Sequence, residues 1–315
     1  LNMNIGFDLM GGDLGPQEAI KGALAYFEQS AEGNLVLIGN QSACVEHLTI
    51  LEKFKDRLTF VHADDVITMH EHATKALKEK PGSSIAIGFG MLKMGKIDAF
   101  ISAGNTGAML VGSMYSVGAI EGVSRPTIAT TVPREDGEVN ILLDVGANAD
   151  CKPEHLAQFG QLGALYAEYI FGHKNPEVGL LNLGEEEGKG NILTQGTYAL
   201  LKSNPHINFV GNVEGRNLFD GKARVIVTDG FTGNVVLKMA ESVYDLFHKK
   251  IQDDPILEQL NYEMYGGVPV LGVNAPVIIG HGISTAKAFV AMIHSAAKVI
   301  KTGLIDAMKQ QFAIK

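Results

Sequence analysis

The chain has 315 residues, 46% of them hydrophobic, enough to fill a sizeable core in one large or two intimate domains and too apolar for a disordered segment. Its formal charge of −9 at pH 7 excludes nucleic acid as a general partner, because phosphate backbones are bound by concentrated Lys and Arg. Two cysteines, Cys44 and Cys151, form no CxxC pair, so neither a zinc site nor a disulfide framework is signalled and a reducing cytoplasm fits.

In chain order the strand candidates are NIGFDL (4–9), NLVLIGN (34–40), LTFVHAD (58–64), IDAFISAG (97–104), PTIATTVP (126–133), NILLDVG (140–146), VGLLNLG (178–184), INFVGNV (207–213) and ARVIVTDG (223–230). Most are nearly continuous apolar runs, as in a parallel sheet covered by helices on both faces. Between them lie glycine-bearing turns and segments with apolar residues three and four apart, the pattern of repeated βα units. The expected fold is therefore α/β, a three-layer α/β/α body with a mostly parallel sheet. It is read as one domain over 1–315 that composition does not separate into lobes.

After ARVIVTDG, residues Val236, Met239, Ala240, Val243, Leu246, Phe247 and Ile251 form one helical apolar stripe, expected to face the core. VPVLGVNAPVIIGHG (268–282) holds two apolar runs around Asn274-Ala275-Pro276 and reads as an antiparallel hairpin. From Ser284 a long amphipathic segment follows, with Phe289, Ile293, Ala297, Ile300, Leu304 and Met308 on one side. No run of about 18 apolar residues occurs, so no spanning helix is expected, and no basic-then-apolar leader signals secretion.

In a parallel sheet the strand carboxyl ends share one edge, and ligands bind there. Five loops at such ends are rich in small and polar residues: DLMGGDLGP (8–16), SAGNTGA (102–108), DVGANAD (144–150), LGEEEGKGN (183–191) and TDGFTGN (228–234). Each alone reads as an ordinary βα turn with a helix cap. Together they suit a small oxygen-rich anion, since glycine lets backbone N–H groups approach a ligand and a helix's first turn leaves donors unpaired.

Two nucleotide motifs fail on spacing. GEEEGKG is one residue short of a P-loop and has Gly190 where Ser or Thr would hold magnesium, while GFGMLKMG (88–95) lacks a third glycine and lies in a helical pattern. In MHEH (69–72), His70 and His72 face apart on a helix, so a metal is not expected. No GxSxG elbow is present, and Cys44 has no evident histidine partner, so covalent catalysis is not indicated. Lys189, between two glycines and after three glutamates, reads as a surface salt bridge or a crevice cation; His281, between a strand and a helix start, reads as a structural residue or a ligand contact.

Taken in order, DLMGGDLGP, SAGNTGA, RPTIATTVP, LLDVGANAD, LLNLGEEEGKGN, FVGNVEG, VTDGFTGNVVLK, YGG and HGIS resemble, over nearly the whole chain, the bacterial acyl-acyl carrier protein phosphate acyltransferases, the PlsX family. The resemblance implies a fold similar to the phosphate acetyltransferases and to the isocitrate and isopropylmalate dehydrogenases, usually as a homodimer. It implies a reaction of inorganic phosphate with a fatty acyl thioester on acyl carrier protein, giving acyl phosphate for phospholipid synthesis. No metal or organic cofactor is implied, and the downstream partner would be a membrane glycerol-3-phosphate acyltransferase. Lys189 becomes a phosphate ligand or electrostatic stabiliser, His281 a proton-transfer or oxyanion group, and Asp229 a third catalytic candidate. Gly11, Gly12, Asp13, Ser102, Asn105, Thr106, Asn148, Thr232 and Asn234 become substrate-binding candidates for phosphate and pantetheine.

The chain departs from the family's pattern at Phe7 and Leu9 in the opening motif, and between Leu246 and Tyr265, where LFHKKIQDDPILEQLNYEMY is more compact than the apolar excursion linked to membrane contact. A cytoplasmic protein is expected, with peripheral membrane association put in doubt by that short segment. His248, Lys249 and Lys250 read either as a basic spot for an acidic carrier protein or as a solvated face. Rival readings are a coenzyme A-dependent phosphotransacylase and a non-catalytic phosphate- or acyl-binding scaffold.

Overall fold

A computed structural model describes residues 3–251 and 254–313, without the side chains of Ile256 and Tyr262. The strands in chain order are β1 (Asn4–Asp8), β2 (Asn34–Gly39), β3 (Leu58–His62), β4 (Ala99–Ser102), β5 (Thr127–Pro133), β6 (Val139–Leu143), β7 (Glu177–Leu181), β8 (Asn208–Val213), β9 (Val225–Val227), β10 (Gly267–Leu271) and β11 (Val277–Gly280). The nine runs expected from sequence all appear, and so does the hairpin. The chain divides into two compact units, Leu1–Ala119 with Tyr262–Ile305, and Ile120–Asn261 with Asp306–Lys315.

In the first unit the strand order is β3-β2-β1-β4-β11-β10, parallel except for β10, which runs antiparallel to β11. The hairpin turn is held by Asn274, whose amide donates to the carbonyls of Gly118 and Ala119 at 3.1 and 3.0 Å. One face of the sheet is covered by helices Gly15–Gln29 and Ala286–Thr302, which bury Ile20, Ala23, Phe27, Phe289, Ile293 and Ala297 in one cluster with Ile5 and Phe7. The Phe7 and Phe289 rings lie 5.2 Å apart. Helix Ser84–Lys93 packs Phe89 edge-on against Phe100 of β4. Each such side chain contributes about 1.5–3 kcal/mol of hydrophobic stabilisation.

The second unit orders its strands β5-β6-β9-β7-β8; β5 is antiparallel to β6 and the other neighbours are parallel. Helix Pro153–Phe171 buries Leu156, Phe159 and Leu162. Parallel pairing of β6, β9, β7 and β8 brings the loops after β6, β7 and β9 to one edge, just as pairing of β1, β4 and β11 does in the first unit.

One expectation is corrected. The stripe on helix Gly230–Phe247 does not face the core: Met239 is 64% exposed and Leu246 60%, and the buried residues of that helix are Gly230 and Gly233. Helical spacing shows which side chains share a face, and the tertiary structure decides whether anything covers it. The amphipathic segment after Ser284 is two helices, Ala286–Thr302 and Leu304–Ala313, because Gly303 takes the left-handed conformation (φ 69°) that ends the first. No single described helix is long and apolar enough to cross a membrane.

Candidate functional site

The first unit joins three of its loops at the carboxyl ends of β1, β4 and β11. Asp8, ending β1, accepts from the Met10 N–H at 2.9 Å and from the Ser102 hydroxyl at 2.6 Å, and Ser102 Oγ accepts from the Gly104 N–H at 2.9 Å. Gly11 is wedged into this junction: a Cβ there would lie 2.6 Å from Gly104 N and 2.8 Å from Asp8 Oδ2. The Asp13 N–H donates to the Gly282 carbonyl at 2.6 Å, and a Cβ on Gly12 would lie 3.1 Å from that same oxygen. His281, two residues past β11's last apolar residue, is partly exposed; its carbonyl accepts from Ser284 N–H and its Nδ1 from Ile283 N–H.

Asn105 caps the helix Thr106–Gly112 through its oxygen, which accepts from Ala108 N–H at 2.9 Å, and its amide nitrogen donates to the carbonyls of Thr68, Met69 and Glu71 at 2.9, 3.3 and 3.0 Å. Its polar atoms are thus engaged inside the protein, whereas Thr106 is exposed. The contact brings in a segment that sequence reasoning missed at this edge: a Cβ on Gly282 would meet Met69 at 2.7 Å and Asp13 at 3.1 Å. Nothing in TMHEH announces this, because the link is made to its backbone carbonyls. His70 and His72 are exposed, and among the described residues no group of three or more His, Cys, Asp or Glu is placed to hold a metal.

Segment 66–72 has its own lock. Glu71 accepts from Thr68 N–H at 2.7 Å and from Lys80, which also donates to the Val66 carbonyl at 2.8 Å. The Lys80 hydrogen bond, followed by that from Thr68, lowers the Glu71 carboxyl from 4.5 to about 2. A depressed folded-state pKa means that this contribution is present above pH 4.5 and is lost as pH falls through about 2. Thr68 amide exchange should therefore show an acid-induced loss of protection in that window, absent in Glu71→Gln; a Gln variant with the same acid step would assign it to another group.

In the second unit Asp144, immediately after β6, is buried and gathers its own loop. One oxygen accepts from the N–H groups of Gly146 and Ala147 at 3.3 and 3.0 Å, the other from the backbone and side-chain N–H of Asn148 at 2.7 and 2.8 Å. The loop is also joined to the start of helix Gly230–Phe247: the Asn148 carbonyl accepts from Gly230 N–H at 2.8 Å and the Val145 carbonyl from the Asn234 amide at 3.3 Å. Asp229 is the N-cap, accepting from Thr232 N–H at 2.9 Å and Thr232 Oγ–H at 2.8 Å, so these two predicted residues meet each other.

Burial raises the carboxyls of Asp8 and Asp144 above their ordinary value, with hydrogen bonds, from Ser102 to the first and from Ala147 and Asn148 to the second, acting against it. Burial also pushes the Cys44 and Cys151 thiols up to about 11, which leaves them protonated and weakly nucleophilic. Asp8 and Asp144 were not among the predicted site residues. Their signal was an acid closing an apolar strand within the quoted glycine loops.

Lys189 lies on the loop after β7, whose backbone is pinned by side-chain amides. Gln195 donates to the Gly188 and Gly190 carbonyls at 3.0 and 3.2 Å, Asn182 to the Lys189 carbonyl at 3.1 Å, and Asn212 to the Glu186 carbonyl at 2.8 Å. The Lys189 side chain is 48% exposed, 3.9 Å from Glu186.

Residues 3–307 match the Fatty acid synthesis protein family. A protein named phosphate acyltransferase from Dictyoglomus turgidum is 44% identical, with 95% of this chain and 94% of that one aligned; one of the same name from Halothermothrix orenii is 40% identical, with 98% of each aligned. Among solved structures, a phosphotransacetylase from Streptococcus pyogenes superposes with a TM-score of 0.65 at 17% identity, covering 97% of this chain and 94% of that one. A branched-chain phosphotransacylase from Enterococcus faecalis gives 0.63 at 14%, covering 94% and 98%. These two structures share the α/β/α fold expected from the sequence. The family match and the identity over nearly the whole length lead to one conclusion: the chain belongs to the Fatty acid synthesis protein family, that of PlsX, and is an acyltransferase.

Proposed function

We propose that the protein forms acyl phosphate from inorganic phosphate and a fatty acyl thioester carried by acyl carrier protein, in phospholipid synthesis. The observation that carries this reading is the gathering of glycine loops at the carboxyl edge of each unit's sheet, in a chain 44% identical to a phosphate acyltransferase. A phosphate oxygen attacks the thioester carbonyl carbon; the new C–O bond forms, the C–S bond breaks, and the thiolate takes a proton to leave as the carrier's thiol. The attacking anion needs positioning and the tetrahedral oxyanion needs N–H donors or a cation. In this reading Lys189 supplies a cation and Asn148, Thr232 and Asn234 contact substrate oxygens from the second unit, and His281 handles a proton and Gly11, Gly12, Asp13, Ser102 and Thr106 contact substrate from the first. Asp229 and Asn105, whose side chains cap helices, act by holding those turns.

The test supplies purified protein with phosphate and acyl-carrier protein, without nucleotide or added metal, and traps the product with hydroxylamine. Acyl hydroxamate that depends on phosphate is expected; none would sink the reading. Acyl-coenzyme A in parallel separates the phosphotransacylase alternative, and phosphate binding without hydroxamate from either thioester would favour the scaffold.

The protein is proposed to work in the cytoplasm as a homodimer, handing acyl phosphate to a membrane glycerol-3-phosphate acyltransferase. The uncovered face of helix Gly230–Phe247 supports the dimer, since Phe231, Val235, Met239 and Leu246 are exposed along it. Met239→Glu with Leu246→Glu should raise the dimer dissociation constant at least about tenfold, roughly 1.4 kcal/mol, in sedimentation equilibrium. An unchanged association constant would place the interface elsewhere.

A further inference from the structure

One motif occurs twice: Ser102-Ala-Gly-Asn-Thr-Gly and Thr228-Asp-Gly-Phe-Thr-Gly share [ST]-x-G-x-T-G at the same spacing. The first copy begins at the end of β4 and the second directly after β9. Each of those strands has a parallel neighbour, β1 or β6, whose carboxyl end carries a fully buried aspartate, Asp8 or Asp144. The two units thus repeat one arrangement, although the helix starts two residues earlier in the second copy, with Asp229 and not Phe231 as its cap.

The aspartates do equivalent work by different contacts. Asp8 takes an N–H from its own loop, at Met10, and reaches the neighbouring turn through the Ser102 hydroxyl. Asp144 takes three N–H groups from its own loop, at Gly146, Ala147 and Asn148, and reaches the neighbouring turn through its backbone, donating to the Thr228 carbonyl at 3.0 Å. A buried carboxylate is costly unless donors satisfy it, and here the donors are loop amides, joined at Asp8 by the Ser102 hydroxyl.

We infer that Asp8 and Asp144 are paired positioning residues, each fixing its unit's glycine loop against the adjoining [ST]-x-G-x-T-G turn so that the remaining donors meet substrate oxygens in one geometry. The catalytic half of this inference rests on the acyl transfer proposed above.

The test uses full-length Asp8→Asn and Asp144→Asn, read by site-resolved amide exchange and by kinetics. Each variant should lose protection at least tenfold at its own loop, Met10 in one and Gly146 to Asn148 in the other, with β2 and β7 amides unchanged. Because small misplacement of a site costs up to about a hundredfold in rate, kcat/KM for phosphate should fall between tenfold and a hundredfold. Loss of protection spread over the whole unit would mean a merely structural role and overturn the inference, as would wild-type exchange and kinetics. If the wild type forms no acyl phosphate, the proposed function fails while the exchange measurement still decides the positioning. If the Asn variants do not fold, Asp8→Glu and Asp144→Glu, which keep the charge but shift it by one methylene, carry the same readouts.

Discussion

Gly233→Ala should lower stability by about 3 kcal/mol, the upper part of the usual overpacking range, and kcat/KM by up to about a hundredfold. A Cβ at this position would overlap the backbone carbonyl oxygen of Asp144 and lie 3.0 Å from Thr228 Cγ2. The obstacle is buried backbone, so no side chain can turn aside to make room. Either the first turn of helix Gly230–Phe247 lifts from β6, or loop 144–150 is pushed out of the register that Asp144 holds. Urea denaturation and steady-state kinetics read the two effects. Gly90→Ala is the control, because its Cβ meets open space within helix Ser84–Lys93; it should be neutral or stabilising by about 0.4–1 kcal/mol. Wild-type stability and activity in Gly233→Ala would mean that this close approach is not required.

Lys189→Ala should separate activity from stability. The surrounding backbone is held by Gln195, Asn182 and Asn212, and the lysine's ion pair with Glu186 is loose and solvent-exposed. Exposed pairs of this kind contribute about 0–1 kcal/mol, so the melting curve should barely move. If the ammonium faces developing negative charge, its loss should cost about 10²–10³ in kcat, the scale of removing one oxyanion donor. Lys189→Arg should recover only part, because the planar guanidinium presents its charge differently. Full turnover in Lys189→Ala at saturating phosphate would remove the residue from the reaction.

Much of this protein is legible from its sequence, for a physical reason. Strands buried on both faces must be apolar along their whole length, so runs such as NLVLIG and VIV identify themselves without reference to partners. The glycine loops are legible because few residues other than glycine permit such close backbone approaches, and the family resemblance rests on those loops. The turn types also survive: Asn105, Asn191 and Asp229 sit where helix caps are expected.

Only the tertiary structure decided what each legible element faces. The stripe from Val236 to Ile251 has the period of a core helix, yet much of it is uncovered, because period records relative orientation along one helix and carries no information about neighbours. Asn105 reads as a donor for substrate, but its amide is taken by the carbonyls of Thr68, Met69 and Glu71, whose position depends on how the chain packs and not on their side chains. Asp8 and Asp144 read as the first letters of two loops. Their burial, and the donors that gather on them, exist only once parallel pairing sets β1 beside β4 and β6 beside β9. Composition and period determine which segments form and which faces are apolar; hydrogen bonds between residues distant in sequence determine which polar groups remain available for chemistry.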